Sequence, residues 1–130
     1  MDNSDIVATR CPVEEAMKLI SKKWVIQIVR DMFFGKSHFN EFKEGKPNLS
    51  NKVLSNCLKE MEANGLINRV VDEQDNSYIE YSLTQKGLAL NKIVYELARF
   101  SLVTDLNNKY YSDEKKKEIE KLFKETLDIN

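Results

Sequence analysis

Apolar residues recur at helical spacing through most of the chain, and they alternate with polar ones in only one short region. Val13, Ala16, Met17 and Ile20 follow Pro12 at intervals of three and four, which predicts a helix opened by the proline and N-capped at Cys11. Trp24, Val25, Ile28, Val29, Met32 and Phe33 predict a second helix with a broad apolar stripe, ended near Gly35 and suited to the centre of a core. Ser37 is placed to cap a short third helix carrying Phe39 and Phe42, and Gly45, Pro47 and Asn48 break the pattern after it. Ser50 is a good N-cap for a fourth helix running to about Asn64, with Gly65 at its end. At about 100° per residue, Val53, Leu54, Leu58 and Met61 share one side of that helix. Lys52, Ser55, Asn56 and Lys59 occupy the other.

The period then changes. Residues 66–72 and 78–83 read as strands, with Ile79, Tyr81 and Leu83 alternating against Glu80 and Ser82, and Asp75, Asn76 and Ser77 supply the turn of a hairpin. Thr84 is expected to cap one long helix with Leu90, Ile93, Val94, Leu97 and Ser101 or Leu102 along a side. Reaching about Asp105, it would be roughly 33 Å long and overhang a small domain. Ser112 precedes a last helix, Asp113 to Leu127, with an apolar line of Ile119, Leu122, Phe123 and Leu127. The pattern divides the chain into an N-terminal arm at 1–10, a main domain at 11–105 and a C-terminal helix at 106–130. The fold class is mainly α with a small β-hairpin.

Composition fits one ordinary globular domain: 130 residues, 42% hydrophobic, with four glycines and two prolines. No stretch reaches the ~18 apolar residues of a membrane span. The first residues are acidic where a secretory signal would be basic and then apolar, so the expected location is the cytoplasm. Cys11 and Cys57 are too few for a disulfide scaffold. A lone histidine, His38, and the lack of phosphate-binding glycine loops argue against an enzyme, and no metal or cofactor is expected. The formal net charge of −1 argues at first against nucleic acid, but it hides an uneven distribution. From Lys22 to Lys59 there are eight basic and three acidic residues, Lys36, Lys43 and Lys46 among the former.

Three short helices followed by a hairpin is the order of a winged helix-turn-helix, in which the third helix of the unit lies in the DNA major groove and the hairpin touches the flanking backbone. Here the groove helix would present Ser50, Asn51, Lys52, Ser55, Asn56 and Lys59, lysines suiting phosphate or guanine and asparagine suiting adenine. Lys36, Ser37 and His38 before the third helix, and Asn76, Ser77 and Tyr78 in the wing, are candidate contacts to the backbone of double-stranded DNA. A winged helix used for protein contact without DNA is the alternative, and it predicts no salt-dependent retention on DNA.

Several segments taken together resemble a known family. They are Cys11-Pro12-Val13-Glu14, Lys23-Trp24, Phe39-Asn40-Glu41-Phe42, Leu49-Ser50-Asn51-Lys52-Val53-Leu54, Leu58 to Ile67, and Glu80 to Thr84 with Gly87. In that order and spacing they resemble the HxlR-type branch of the winged-helix transcription regulators related to MarR, from Cys11 to about Leu102. The resemblance implies a sequence-specific regulator that binds a promoter operator as a homodimer, paired through its N-terminal and C-terminal helices. The apolar patterning agrees, and Val13, Met17, Ile93, Leu97 and Leu102 are the expected interface residues, with packing inside the monomer as the alternative for Leu97 and Leu102.

The chain departs from the family pattern at the wing, where Asp72-Glu73-Gln74-Asp75 is acidic and repels phosphate, and at Cys57, where relatives commonly carry a basic residue. Cys11 is a candidate redox sensor. A helix N-terminus and the neighbouring Arg10 both favour a thiolate there, and the resemblance adds that some HxlR-type regulators sense oxidants or electrophiles at this Cys-Pro position. Cys57 falls on the core side of its helix and reads as a buried, inert thiol. Neither the effector nor the target genes are written in these residues.

Overall fold

A computed structural model describes residues 2–8 and 10–130. The elements in chain order are α1 (Asn3–Ala8), α2 (Pro12–Ile20), α3 (Val25–Phe33), a 3-10 turn (Phe39–Lys43), α4 (Asn51–Ala63), β1 (Ile67–Val71), β2 (Ile79–Leu83), α5 (Gln85–Leu88), α6 (Asn91–Thr104) and α7 (Asp113–Thr126). This is a mainly helical chain with a two-stranded antiparallel wing, as the apolar periodicity predicts. The strands pair in the register Ile67 with Leu83, Arg69 with Tyr81 and Val71 with Ile79. Ile67 and Tyr81 are buried, while Asn68, Glu80 and Ser82 face water.

Local chemistry explains the ends of α4. The Ser50 hydroxyl accepts from the Val53 N–H at 3.1 Å. At the other end Gly65 adopts a φ of +77°, and the Leu66 N–H reaches back to the Met61 carbonyl at 2.9 Å. That pairing satisfies carbonyls the last turn would otherwise leave open, and the left-handed residue that permits it is best a glycine. The buried side of α4, Leu54, Cys57, Leu58 and Met61, joins Val25, Ile28, Val29, Phe42 and Ile67 in one core.

Four expectations need correction. Val53 is 45% exposed rather than on the core side, because it lies one residue round from the stripe that Leu54 and Leu58 define. The third helical segment is a 3-10 turn with His38, not Ser37, at its N-cap. The Glu41 carboxylate folds back there and accepts from the N–H groups of Ser37 and His38 at 3.1 and 2.9 Å.

The long helix from Thr84 is two helices. Thr84 caps α5 as expected, its Oγ1 accepting from the Gly87 N–H at 3.1 Å. Gly87, however, is pressed against the backbone of Leu66, so closely that a Cβ would lie 2.2 Å from the Leu66 carbonyl oxygen. The chain turns tightly at Leu90, and α6 restarts at Asn91, whose side chain accepts from the Lys92 N–H and donates to the Leu127 carbonyl, both at 2.9 Å. A short polar side chain bonded to nearby backbone competes with helix continuation. The 14 residues of α6 span about 21 Å.

Leu102 is only 6% exposed within the single chain, so it is packed inside the protein rather than offered to a partner. The reason lies in the return of the C-terminal segment. After α6 the Asp105 carboxylate gathers the N–H groups of Lys109, Tyr110 and Tyr111 at 2.9, 3.2 and 3.0 Å and turns the chain back. Helix α7 then packs along α6. Phe123 meets Phe34 edge to face at 5.1 Å, and Leu127, 1% exposed, completes the core.

Candidate nucleic-acid interface

Helix α4 is held at its root. Leu49 is buried just before it, and the Lys43 ammonium donates to the Asn51 side chain, tying the start of α4 to the preceding turn. From this base Lys52, Asn56 and Lys59 project into solvent, and among the described residues none of the three makes a hydrogen bond or ion pair. Ser55 and Lys59 line a hollow between α4 and the hairpin, whose opposite wall includes Arg69 of β1 and Ile79 of β2. Arg69 was not marked by its sequence context. An arginine amid strand residues becomes notable only when the register brings it beside the helix.

The two groups expected to touch the DNA backbone meet in space. The Ser37 carbonyl accepts from the Tyr81 N–H at 2.8 Å, so the residues before the 3-10 turn run along the outer edge of β2. The His38 Nδ1 lies 3.0 Å from the Ile79 carbonyl oxygen. A carbonyl can only accept, so Nδ1 is the donor and Nε2 faces the Tyr78 hydroxyl at 3.5 Å. The two rings stand edge to face with centroids 5.1 Å apart. His38 is therefore half-buried and fastened to the wing rather than free in solvent, and with Asn40, Ser77 and Tyr78 it lines a shared hollow. Glu41 beneath it stays anionic readily, since the Ser37 and His38 amides hold its carboxyl below the usual 4.5.

The wing's acidic residues partly look inward. Asp72 accepts from the N–H groups of Gln74 and Asp75 at 2.8 and 3.2 Å. Asp75 accepts from both the hydroxyl and the N–H of Ser77, at 2.5 and 3.0 Å, and these donors keep its carboxyl below 3.8. Ser77 thus spends its hydroxyl on the turn, whereas Asn76 and Tyr78 remain exposed.

The basic run from Lys22 to Lys59 is not displayed as one patch, which corrects the picture from charge counting. Lys46 is buried and paired with Asp31, which Arg30 also contacts at 2.9 Å. Lys36 lies 3.6 Å from Glu44 and Lys22 lies 2.8 Å from Glu60. Lys52 and Lys59 on α4, like Lys23 and Lys43, make no ion pair among the described residues, while Arg30 shares Asp31 with Lys46.

The cysteines differ. Cys57 is buried with its thiol toward Met61 Sδ at 3.7 Å, and burial, with the Glu60 charge adding to it and Lys22 opposing, pushes it up to about 11. Cys11 is partly exposed at the start of α2, where Arg10 pairs with Glu15. Along α2 and α6 the expected interface residues Val13, Met17, Ile93 and Leu97 are all exposed, joined by Phe100 and Val103. No helix among the described residues is long and apolar enough to cross a membrane, and no described cluster of His, Cys, Asp or Glu suits a metal ion.

Comparison with known proteins agrees with this architecture. The family model described as HxlR-like helix-turn-helix matches residues 19–108. The HTH-type transcriptional regulator YvaP of Bacillus subtilis (strain 168) is 42% identical over 92 residues, covering 70% of this chain and 85% of that protein. The solved structure of the redox regulator HypR in its oxidized form superposes with a TM-score of 0.64 at 35% identity, covering 69% of this chain and 93% of that one. Quinone-bound YodB from B. subtilis superposes with a TM-score of 0.59 at 34% identity, covering 70% of this chain and 96% of the other. The chain is therefore not an enzyme: it belongs to the HxlR-like helix-turn-helix family of transcriptional regulators.

Proposed function

We propose that this protein binds a promoter operator as a cytoplasmic homodimer, with α4 in the major groove. Lys52, Ser55, Asn56 and Lys59 read the groove, Ser50 and Asn51 sit at the helix entrance, and Lys36, Ser37 and His38 act with Asn76 and Tyr78 on the backbone, while Ser77, expected there too, has both its donors held by Asp75 and shapes the turn instead. The observation that carries this reading is the face of α4 on which Lys52, Asn56 and Lys59 are exposed and uncommitted beside the wing. Pairing two such helices about 34 Å apart requires a second copy, and the exposed Val13, Met17, Ile93 and Leu97 supply an apolar surface for it. The winged unit is then 11–105, with 1–10 as an arm and 106–130 stiffening the dimerising helices. A mobility-shift assay on the promoter of its own or the adjacent gene tests the reading: retention should weaken with salt and be lost in the Lys52→Ala, Asn56→Ala double variant. Salt-independent behaviour or an unaffected double variant would favour the protein-contact alternative.

A thiol response through Cys11 is a second reading. It is favoured by the partial exposure of Cys11 at the start of α2, next to the proposed dimer surface, and by the likeness to a redox regulator and to a quinone-bound regulator. Diamide, which takes two electrons and two protons from a pair of thiols as they join in a disulfide, should release the wild type from DNA and leave the Cys11→Ser protein bound. Equal release of both would remove Cys11 from the response.

A further inference from the structure

Between α3, α6 and α7 lies a cavity of about 430 Å³ that the DNA-reading surface does not use. Ile26, Leu97, Leu102 and Phe123 give it a mainly apolar wall, and Arg30 is the one charged side chain lining it. The charge of Arg30 is incompletely neutralised. Its Nε and Nη2 donate to one oxygen of Asp31 at 3.2 and 2.9 Å, while the Lys46 ammonium takes the other oxygen. Two cations on one carboxylate leave one positive charge in surplus. Lys46 is 4% exposed and cannot present that surplus to a ligand, whereas Arg30 is 38% exposed at the cavity wall. Its Nη1 has no hydrogen-bond partner among the described residues.

An apolar hollow of this size with one uncompensated guanidinium complements a compact apolar body bearing one negative group. Other occupants match less well. A phosphate ester carrying two charges would find a single cation. A neutral molecule would cover Arg30 and leave its surplus charge unpaired. We propose that this cavity is a binding site for a small apolar monoanion, a carboxylate or sulfonate on a ring-sized body, with Arg30 as its anion contact.

The test is a fluorescence titration of the purified full chain with two dyes sharing one ring system, 8-anilinonaphthalene-1-sulfonate and the neutral N-phenyl-1-naphthylamine. It needs no DNA, so its outcome is independent of operator binding. The sulfonate should bind with one site per chain. Arg30→Gln should weaken it about tenfold while changing the neutral dye less than about twofold, and Arg30→Lys should recover most of the loss. Ala98→Trp, which fills the hollow from α6, should abolish binding of the sulfonate. Equal effects of Arg30→Gln on both dyes, undiminished binding to Ala98→Trp, or no binding to the wild type because another copy covers the cavity would each overturn the proposal.

Discussion

The Lys46 ammonium and the Asp31 carboxylate form an ion pair inside the protein, with side chains 4% and 6% exposed, and Lys46 also donates to the Phe42 carbonyl at 2.9 Å. The pair joins α3 to the loop that delivers the chain to α4. Removing one partner strands a charge in a medium that solvates it poorly, whereas replacing both can be nearly neutral. Arg30 would still balance Asp31 after loss of Lys46, but no carboxylate would balance the buried Lys46 after loss of Asp31, so Asp31→Leu alone should cost about 3–5 kcal/mol in urea denaturation, and the Asp31→Leu, Lys46→Met double variant should recover much of it. A single variant as stable as the wild type would show that the pair does not hold the loop.

Gly87 reverses an ordinary rule. Alanine in place of glycine within a helix commonly gains up to ~1 kcal/mol. Here the added Cβ would meet the Leu66 carbonyl oxygen at 2.2 Å, and backbone must move to admit it. Gly87→Ala should lower stability by about 1–3 kcal/mol, read as a fall in the thermal midpoint.

Acid should loosen the α6–α7 connection through Asp105. Burial pushes its carboxyl up, but the N–H groups of Tyr111, Tyr110 and Lys109 and the Lys116 ammonium outweigh burial and leave it below the ordinary 3.8. A lowered folded value means that the charged form contributes stability above the unfolded value, and that this contribution disappears as pH falls through the folded one. Thermal melts should show the wild type losing stability below pH 3.8 more steeply than Asp105→Asn. Parallel acid limbs would assign the loss to other carboxylates.

Alkylation should separate the two thiols. With Cys57 pushed up to about 11, its thiolate fraction at pH 8 is about one in a thousand, and the core shields the sulfur as well. Iodoacetamide should modify Cys11 in the folded protein and reach Cys57 only after denaturant is added, as peptide mass mapping would reveal. Fast native labelling of Cys57 would contradict its burial.

Salt should report which lysines meet phosphate. On the operator-binding reading, Lys52→Ala and Lys59→Ala should each reduce the slope of log affinity against log salt by about 1 if its ammonium neutralises a phosphate, and change it little if it reads a base instead. Neither substitution altering affinity or slope would remove α4 from the interface.

The elements that shape the interface carry local signals, and these were legible in the sequence. Ser50, Gly65 and the change of period at the hairpin each act through neighbours a few residues away, so α4, β1 and β2 can be read directly. What escaped depends on distant partners. The apolar period runs unbroken through Leu90, Ile93 and Val94, and the helix stops and restarts where Gly87 meets Leu66 and Asn91 bonds the distant Leu127 carbonyl. Leu97 and Leu102 look alike in the stripe, yet the return of α7 buries one and leaves the other 50% exposed. Lys46 counts as a surface cation until Asp31, fifteen residues earlier, is found beside it.

Leu127 sits in the same core as Ile28 and Leu54, and its carbonyl is held by Asn91. The local hairpin and helices can form early, but contacts between segments so far apart in the sequence require the intervening chain to be ordered first, which slows folding. During synthesis the core lacks Leu127 until the C-terminal helix has left the ribosome. Until then α4, with its lysines already present, packs on a core missing one of its buried side chains, so the last residues made help fix a helix completed some sixty residues earlier.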